Sequence, residues 1–122
     1  MAEQRMKSYE MIPERIKRRY LEFYDELYNP ERSVLDLRTK ELIAIAASVM
    51  ADCKGCLKGH VLKAVRAGAT REEVGEAIAI AIAISGAAIV DRTDIANEEF
   101  DLVRKLWENG GKRENGIDDT TP

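Results

Sequence analysis

The side chains best suited to chemistry lie in one short segment, Cys53-Lys54-Gly55-Cys56-Leu57-Lys58-Gly59-His60. This segment holds both cysteines and the single histidine of the chain. On a helix of 3.6 residues per turn, Cys53, Cys56 and His60 point within about 60° of one another, so both sulfurs and the imidazole share one face. The segment therefore predicts a dithiol with a proton carrier beside it.

Several chemistries fit such a segment. A Cys-x-x-Cys pair at a helix start can cycle between dithiol and disulfide, because the short gap brings the sulfurs together and the helix N-terminus stabilises a thiolate. A structural zinc site needs four ligands, so this chain would have to recruit a carboxylate, a water or a second subunit. Covalent haem attachment is excluded, since Leu57 and not His follows the second cysteine.

Two structural explanations also exist. A static disulfide would restrain little of the unfolded chain because its loop is so short. Alternatively, the cysteines line a buried helix face beside a hydrogen-bonded core histidine. We interpret the pair as redox-active, and the metal and structural alternatives stay open.

Length and charge narrow the classes of protein. The 122 residues suit one domain with a modest core. With 19 basic and 22 acidic residues the chain is mildly acidic, so we expect neither nucleic acid nor a membrane as a partner. The first residues lack the apolar core of a secretory signal, which predicts a cytoplasmic protein. The apolar run over residues 77–90 is shorter than the ~20 residues of a membrane span and predicts a buried helix.

Residues typical of helix starts and ends divide the first part of the chain into three predicted helices. Pro13 opens a first helix that stops at Asn29-Pro30 and carries an apolar stripe. Asp36 can cap a second helix, and Asp52 can cap a third that carries the dithiol and ends at Gly68. The members of the apolar stripe are Ile16, Tyr20, Phe23 and Leu27.

The second half is also predicted to be helical. Thr70 and Glu73 form a capping box that starts a fourth helix, and Ser85-Gly86 marks a weak point in it or a close contact. A last helix is expected over residues 94–108, with Ile95, Phe100, Val103 and Trp107 as core positions. The polar, Gly-rich residues 109–122 are expected to form a flexible tail.

The string from Glu41 to His60 resembles the signature of the alkyl hydroperoxidase D and carboxymuconolactone decarboxylase superfamily. In that superfamily a Glu lies twelve residues before the first cysteine of Cys-x-x-Cys, and a His lies four after the second. Glu41, Cys53, Cys56 and His60 match all four positions. The Gly-Ala-Thr start of the next helix is also similar, so the resemblance covers about residues 35–90.

The resemblance implies an all-α fold, a compact bundle of five to six helices over residues 1–108 that forms one domain, and assembly into homo-trimers or hexamers. For members that keep both cysteines it implies thiol-dependent peroxidase or disulfide reductase activity, with Cys53, Cys56, His60 and Glu41 as catalytic residues. Hydroperoxides or small disulfides are the expected substrates, and a lipoyl-like or thioredoxin-like dithiol is the expected reductant. No cofactor and no metal are predicted.

Spacing gives Glu41 a rationale of its own. If the second and third helices turn back on each other near Asp52, Glu41 lies within about a turn of His60. A carboxylate, an imidazole and a thiol could then form a proton relay, directly or through water. The alternative explanation of Glu41 is a first-turn acid favoured by the helix dipole.

Two other functions remain open. One is a lyase that acts on a small lactone with His60 and Glu41 as acid and base. The other is a zinc or redox-sensing module whose output is a change in assembly.

An excess of apolar helix surface predicts a homo-oligomer. Helices over residues 42–51 and 77–90 are apolar nearly all round, and a monomer of this size can surround at most one of them. We expect the second of these helices near the subunit interface.

Overall fold

Four α-helices and a terminal π-helix make up the part of the chain, residues 9–108, that the computed structural model describes. No strand occurs in this part, so the predicted all-α class with five helices is confirmed. The predicted flexible tail lies outside the described residues. The α-helices are α1 (Glu14–Leu27), α2 (Leu37–Met50), α3 (Lys54–Arg66) and α4 (Arg71–Phe100), and the π-helix is Arg104–Glu108.

Contacts divide the chain into two compact units, Met1–Ala77 and Ile78–Pro122. The first unit contains α1, α2, α3 and the start of α4, and it holds all four predicted catalytic residues. The expectation of one domain over residues 1–108 stays a prediction.

Within the first unit, α2 and α3 pack against each other. Ile45 on α2 and Ala64 on α3 are fully buried, and two polar residues of α2, Glu41 and Ser48, are buried with them. The Ser48 hydroxyl donates to the Ala44 carbonyl at 2.6 Å, so its own helix satisfies it. Glu41 has no such local partner on α2 and must find one elsewhere.

The junction between α2 and α3 corrects the predicted role of Asp52. Asp52 does not cap α3 but lies in the left-handed region with φ 54°, directly after the end of α2. Its N–H donates to the Val49 carbonyl, and the Cys53 N–H donates to the Ser48 carbonyl at 3.0 Å. These two bonds form a Schellman motif, in which aspartate takes the position that glycine usually occupies.

The end of α3 repeats this motif with glycine. Gly68 has φ 94°, as predicted for a left-handed stop, and the Ala69 N–H donates to the Ala64 carbonyl at 2.9 Å. The predicted capping box follows: the Thr70 N–H donates to Glu73 Oε1, and the Glu73 N–H donates to Thr70 Oγ1, both at 3.1 Å. Both ends of α3 are therefore fixed by local hydrogen bonds.

α4 is longer than the sequence predicts. It runs through Ser85-Gly86 without interruption and ends at Phe100, where Asp101 adopts a left-handed φ of 52°. One glycine costs a helix only about 1 kcal/mol relative to alanine, and the alanine-rich flanks tolerate it. The separate helix expected over residues 94–108 is therefore wrong, since its first residues continue α4.

By length and composition alone, α4 could cross a membrane, because the apolar run is extended by helix on both sides. The core helix of a water-soluble protein can meet the same criteria, and one such helix is weak support for a membrane span.

Many large apolar side chains are exposed, among them some that were predicted to lie in the core. The stripe of α1 is 43–66% exposed, and α1 has no buried residue. The core positions expected near the end of the chain, such as Phe100 and Trp107, are also exposed. Their apolar surface is not covered within the described chain.

Candidate active site

The dithiol lies where α2 ends and α3 begins. Cys53 and Cys56 form a disulfide with their Cα atoms 5.2 Å apart. Cys53 is half-buried, whereas Cys56 is exposed. The structure thus places both predicted sulfurs within bonding reach, with one of them open to an external reactant.

Cys53 is also the N-cap of α3. Its Sγ accepts a hydrogen bond from the Cys56 N–H at 3.3 Å, a role usually filled by Ser, Thr, Asp or Asn. The free N–H groups and the dipole of a helix start favour negative charge there. A thiolate at Cys53 would therefore be stabilised by α3 itself.

Two titratable side chains, Glu41 of α2 and His60 of α3, are in direct contact. His60 Nδ1 lies 2.6 Å from Glu41 Oε2, and the side chains are 14% and 1% exposed. The predicted proximity of the two residues is confirmed. An ionised carboxylate only accepts hydrogen bonds, so with Glu41 ionised the contact would place a proton on Nδ1 and leave Nε2 available as a base.

The order of these groups along α3 connects the pair to the dithiol. Cys56 and His60 are four residues apart on the same helix and therefore on the same face, one turn from each other. Glu41 orients the imidazole from the neighbouring helix. The arrangement can hold a proton near a sulfur, although the catalytic roles of all four residues stay predictions.

Metal binding has no further support in this region. Among residues 9–108 no group of three or more His, Cys, Asp or Glu side chains is placed to hold a metal ion. A zinc ion at the dithiol would still need ligands from outside this set.

An open pocket of about 830 Å³ lies between α1, α2 and α3. Glu41 belongs to its lining, whereas the cysteines and His60 do not. Other residues that line it and matter for its chemistry are Tyr24 and Tyr28 of α1 and Lys63 and Arg66 of α3.

Two neighbouring tyrosines form the α1 side of this pocket. The ring centroids of Tyr24 and Tyr28 are 4.9 Å apart, and Lys63 Nζ lies 5.8 Å from the centre of the Tyr24 ring. Burial raises the pKa of the Tyr28 phenol above its ordinary value, and the charges of Tyr24 and Glu41 raise it further. Tyr28 is therefore a neutral phenol beside the Glu41 carboxylate.

Lys40 of α2 forms hydrogen bonds with the end of α1 and with the loop that follows it. Its Nζ donates to the Leu27 carbonyl at the end of α1 and to Ser33 Oγ. Its ammonium also lies 5.7 Å from the centre of the Tyr28 ring. Lys40 directly precedes Glu41 on α2, so it links the carbonyl end of α1 to the part of α2 that carries Glu41.

Sequence reasoning missed these pocket residues. Tyr24 and Tyr28 stand at i and i+4 and could have been recognised as a pair on one helix face. That they face the Glu41 region, and not the core, depends on how α1 is attached to α2.

Residues 14–98 match the carboxymuconolactone decarboxylase family. The chain belongs to this family. The match covers more than half of the chain and includes Glu41, Cys53, Cys56 and His60.

Two curated relatives share part of the sequence. Uncharacterized protein 4 in the cox locus of Paracoccus denitrificans is 51% identical over 47 residues, which are 38% of this chain and 42% of that protein. An uncharacterized protein of Cupriavidus necator is 42% identical over 52 residues, 43% of this chain and 46% of that protein. The matched segments thus span less than half the length of these relatives.

Solved structures of this family share the fold. A carboxymuconolactone decarboxylase family protein of Thermotoga maritima, for which involvement in an antioxidative response has been suggested, has 26% identity and a TM-score of 0.59. That comparison covers 91% of this chain and 93% of the other. A second crystal structure from T. maritima gives 27% identity and a TM-score of 0.58 over 93% of this chain and all of that one.

Proposed function

We propose that this family member is a dithiol oxidoreductase of the alkyl hydroperoxidase D type that reduces hydroperoxides or small disulfides. The observation that carries the proposal is the Cys53–Cys56 disulfide one helical turn from an imidazole held at 2.6 Å by a buried carboxylate. The suggested antioxidative role of the T. maritima relative is consistent with it.

The first step consumes the peroxide. His60 Nε2 takes the proton from the Cys56 thiol, and the thiolate attacks the terminal oxygen of the hydroperoxide. The O–O bond breaks, the sulfur becomes a sulfenic acid, and the leaving alkoxide takes the proton from the imidazolium to become an alcohol. Glu41 stabilises the imidazolium while it exists.

The second step closes the disulfide. The Cys53 thiolate, which the start of α3 stabilises, attacks the sulfenic sulfur of Cys56, and hydroxide leaves as water after protonation. The roles of the two cysteines can be exchanged without altering the balance. For a disulfide substrate, a mixed disulfide replaces the sulfenic acid and a thiol replaces the alcohol.

A dithiol reductant completes the cycle. A lipoyl-like or thioredoxin-like donor attacks the exposed Cys56 sulfur, and a second thiol of the donor releases the reduced pair. Two electrons and two protons pass to the protein, and the donor leaves as a disulfide. We place this cycle in the cytoplasm, where such donors are kept reduced.

The decisive experiment follows the cysteines directly. Reduced protein is titrated with a hydroperoxide, and the peptide that carries residues 53–60 is examined by mass spectrometry. A loss of two hydrogens in that peptide, reversed by a dithiol, supports the proposal. Absence of reversible two-electron oxidation, or full peroxide consumption by Cys56→Ser, overturns it.

The family match and the Glu41–His60 pair also favour a second candidate, a lyase that decarboxylates a small lactone. Such an enzyme would use the pair as acid and base and keep its activity when both cysteines are replaced. Loss of that activity in His60→Ala, together with its survival in the Cys53→Ser/Cys56→Ser double variant, would establish this function in place of the redox cycle.

Assembly into a trimer or hexamer is part of the proposal. The apolar stripe of α1 and the isoleucines of α4 are exposed within the described chain, and a symmetric partner could cover them. Light scattering at micromolar concentration provides the test. A mass of three or six times 13.7 kDa supports assembly, and a mass near 13.7 kDa overturns it.

A further inference from the structure

One oxygen of the buried Glu41 carboxylate lacks a donor. Oε2 contacts His60 Nδ1, whereas Oε1 has no hydrogen-bond partner among residues 9–108, although the side chain is only 1% exposed. A buried acceptor without a donor is destabilising, and more so when it is charged. Glu41 lines the pocket between α1, α2 and α3, so a molecule bound in that pocket could supply the donor.

The walls of the pocket suit a flat apolar body. The tilted Tyr24 and Tyr28 rings bound it on the side of α1, and Leu37 and Pro30 add apolar surface. Aromatic ligands make favourable offset or edge contacts with such rings. With about 830 Å³, the pocket has room for a single six-membered ring and its substituents.

The pocket lining carries four carboxylates and two cations, and both cations, Lys63 and Arg66, lie on α3. Two of the carboxylates pair with arginines outside the lining, a third contacts the His60 imidazole, and the fourth is Asp25. Lys63 and Arg66 have no carboxylate partner within the described part of the chain. The paired carboxylates are Glu22 with Arg19, Glu26 with Arg32, and Glu41 with His60.

The positions of these groups along α3 bear on the size of the ligand. Arg66 follows His60 by six residues, which places it about 9 Å further along α3. Glu41 contacts His60, and both Glu41 and Arg66 line the pocket. A ligand with a hydrogen-bond donor and a carboxylate on opposite sides of one aromatic ring could reach both residues.

We propose that the pocket binds a small aromatic hydroxy acid. Its hydroxyl donates to Glu41 Oε1, its ring lies along Tyr24 and Tyr28, and its carboxylate accepts hydrogen bonds from Arg66 and Lys63. A guanidinium binds a carboxylate through two parallel hydrogen bonds, which gives this end its selectivity. Binding does not depend on the redox state of the cysteines, which lie outside the pocket lining.

A ligand series tests this on the unmodified protein, which avoids any loss of fold. The oxidised protein is titrated by calorimetry with 4-hydroxybenzoate, benzoate and 4-hydroxybenzyl alcohol. We expect saturable binding of 4-hydroxybenzoate with a dissociation constant below about 1 mM. Benzoate lacks the donor and the alcohol lacks the carboxylate, so each should bind about tenfold more weakly, as expected for one lost hydrogen bond to a charged group.

A matched pair of variants then tests the basic end. Arg66→Gln should weaken 4-hydroxybenzoate about tenfold or more and leave 4-hydroxybenzyl alcohol unchanged, because only the former carries a carboxylate. Lys58→Gln, on the same helix but outside the pocket lining, should change neither. Absence of saturable binding up to about 10 mM, equal affinity for 4-hydroxybenzoate and benzoate, or equal affinities in Arg66→Gln and Lys58→Gln overturns the proposal. None of these results depends on peroxide turnover, so they stand apart from the proposed function.

Discussion

His60 and Glu41 are nineteen residues apart in sequence, yet His60 Nδ1 and Glu41 Oε2 are 2.6 Å apart in space. α2 and α3 bring them together because the chain reverses within the three residues, 51–53, that separate the helices. The carboxylate is almost fully buried while the imidazole keeps a small exposed fraction. His60 is the single histidine of the chain, and Glu41 is its carboxylate partner.

The first prediction concerns Glu41→Gln. An amide cannot stabilise the imidazolium, so we expect peroxide consumption to fall by about 100-fold, the lower end of the range for acid–base groups. The remaining activity should rise with pH as the thiols ionise unaided, which for an ordinary cysteine occurs near pH 8.5. Glu76→Gln, an exposed position on α4, serves as the control. Rates for Glu41→Gln within twofold of the control at every pH would contradict a relay role.

The second prediction concerns stability. His60→Ala removes the partner of a buried carboxylate, so we expect a loss of about 3 kcal/mol in the free energy of unfolding. The double variant Glu41→Gln/His60→Ala should lose less than His60→Ala alone, because no charge is left buried. Urea denaturation of the oxidised proteins measures both. A double variant less stable than His60→Ala would show that the pair is not coupled in this way.

The third prediction uses the two left-handed residues that flank α3. Asp52→Gly should raise the free energy of unfolding by about 0.5–1 kcal/mol, since glycine adopts φ 54° without strain. Gly68→Ala should lower it by about 1 kcal/mol, although an added Cβ meets no atom within 4 Å, because φ 94° is unfavourable for alanine. Thermal or urea unfolding separates the two signs, and a destabilised Asp52→Gly protein would contradict the conformational argument.

The fourth prediction separates the capping role of Cys53 from its redox role. Cys53→Ser and Cys53→Ala both abolish the internal disulfide, but serine can still accept the Cys56 N–H. We expect the alanine variant to be about 1 kcal/mol less stable than the serine variant under reducing conditions. At Cys56, which caps no helix, the same two substitutions should differ by less than about 0.5 kcal/mol. Equal stabilities of the two Cys53 variants would argue against the cap.

Local signals in the sequence predict local structure well here. The cap at Asp36, the capping box of Thr70 and Glu73, and the stop at Gly68 each use a side chain or a backbone conformation that only nearby residues determine. Asp52 was assigned wrongly because aspartate suits both an N-cap and a left-handed position, and its neighbours do not distinguish them. A separate last helix was predicted from residue 94, but α4 continues to Phe100 and passes through Gly86, since one glycine costs a long helix little.

Part of the candidate site could likewise be predicted from the sequence, and part of it could not. The dithiol and His60 follow from spacing along one helix, and Glu41 follows once α2 and α3 are taken to turn back on each other. The pocket could not be predicted, since Tyr24, Tyr28 and Arg66 meet only through the attachment of α1 to α2. The apolar stripe of α1 was predicted but its exposure was not, because sequence periodicity reports which face is apolar and not what covers it.

Only three residues separate α2 from α3, so the number of residues between Glu41 and Cys53 helps to determine the geometry of the site. A hydrogen bond joins Ser48 to Cys53, and a hydrogen bond and a disulfide join Cys53 to Cys56, so this corner cannot take up an extra residue without losing some of these contacts. One inserted residue would turn the face of α3 by about 100° and carry His60 away from Glu41. The number of residues between Glu41 and Cys53 should therefore matter to the site as much as the identity of either residue. A deletion or insertion there should be as damaging as the loss of one of these side chains.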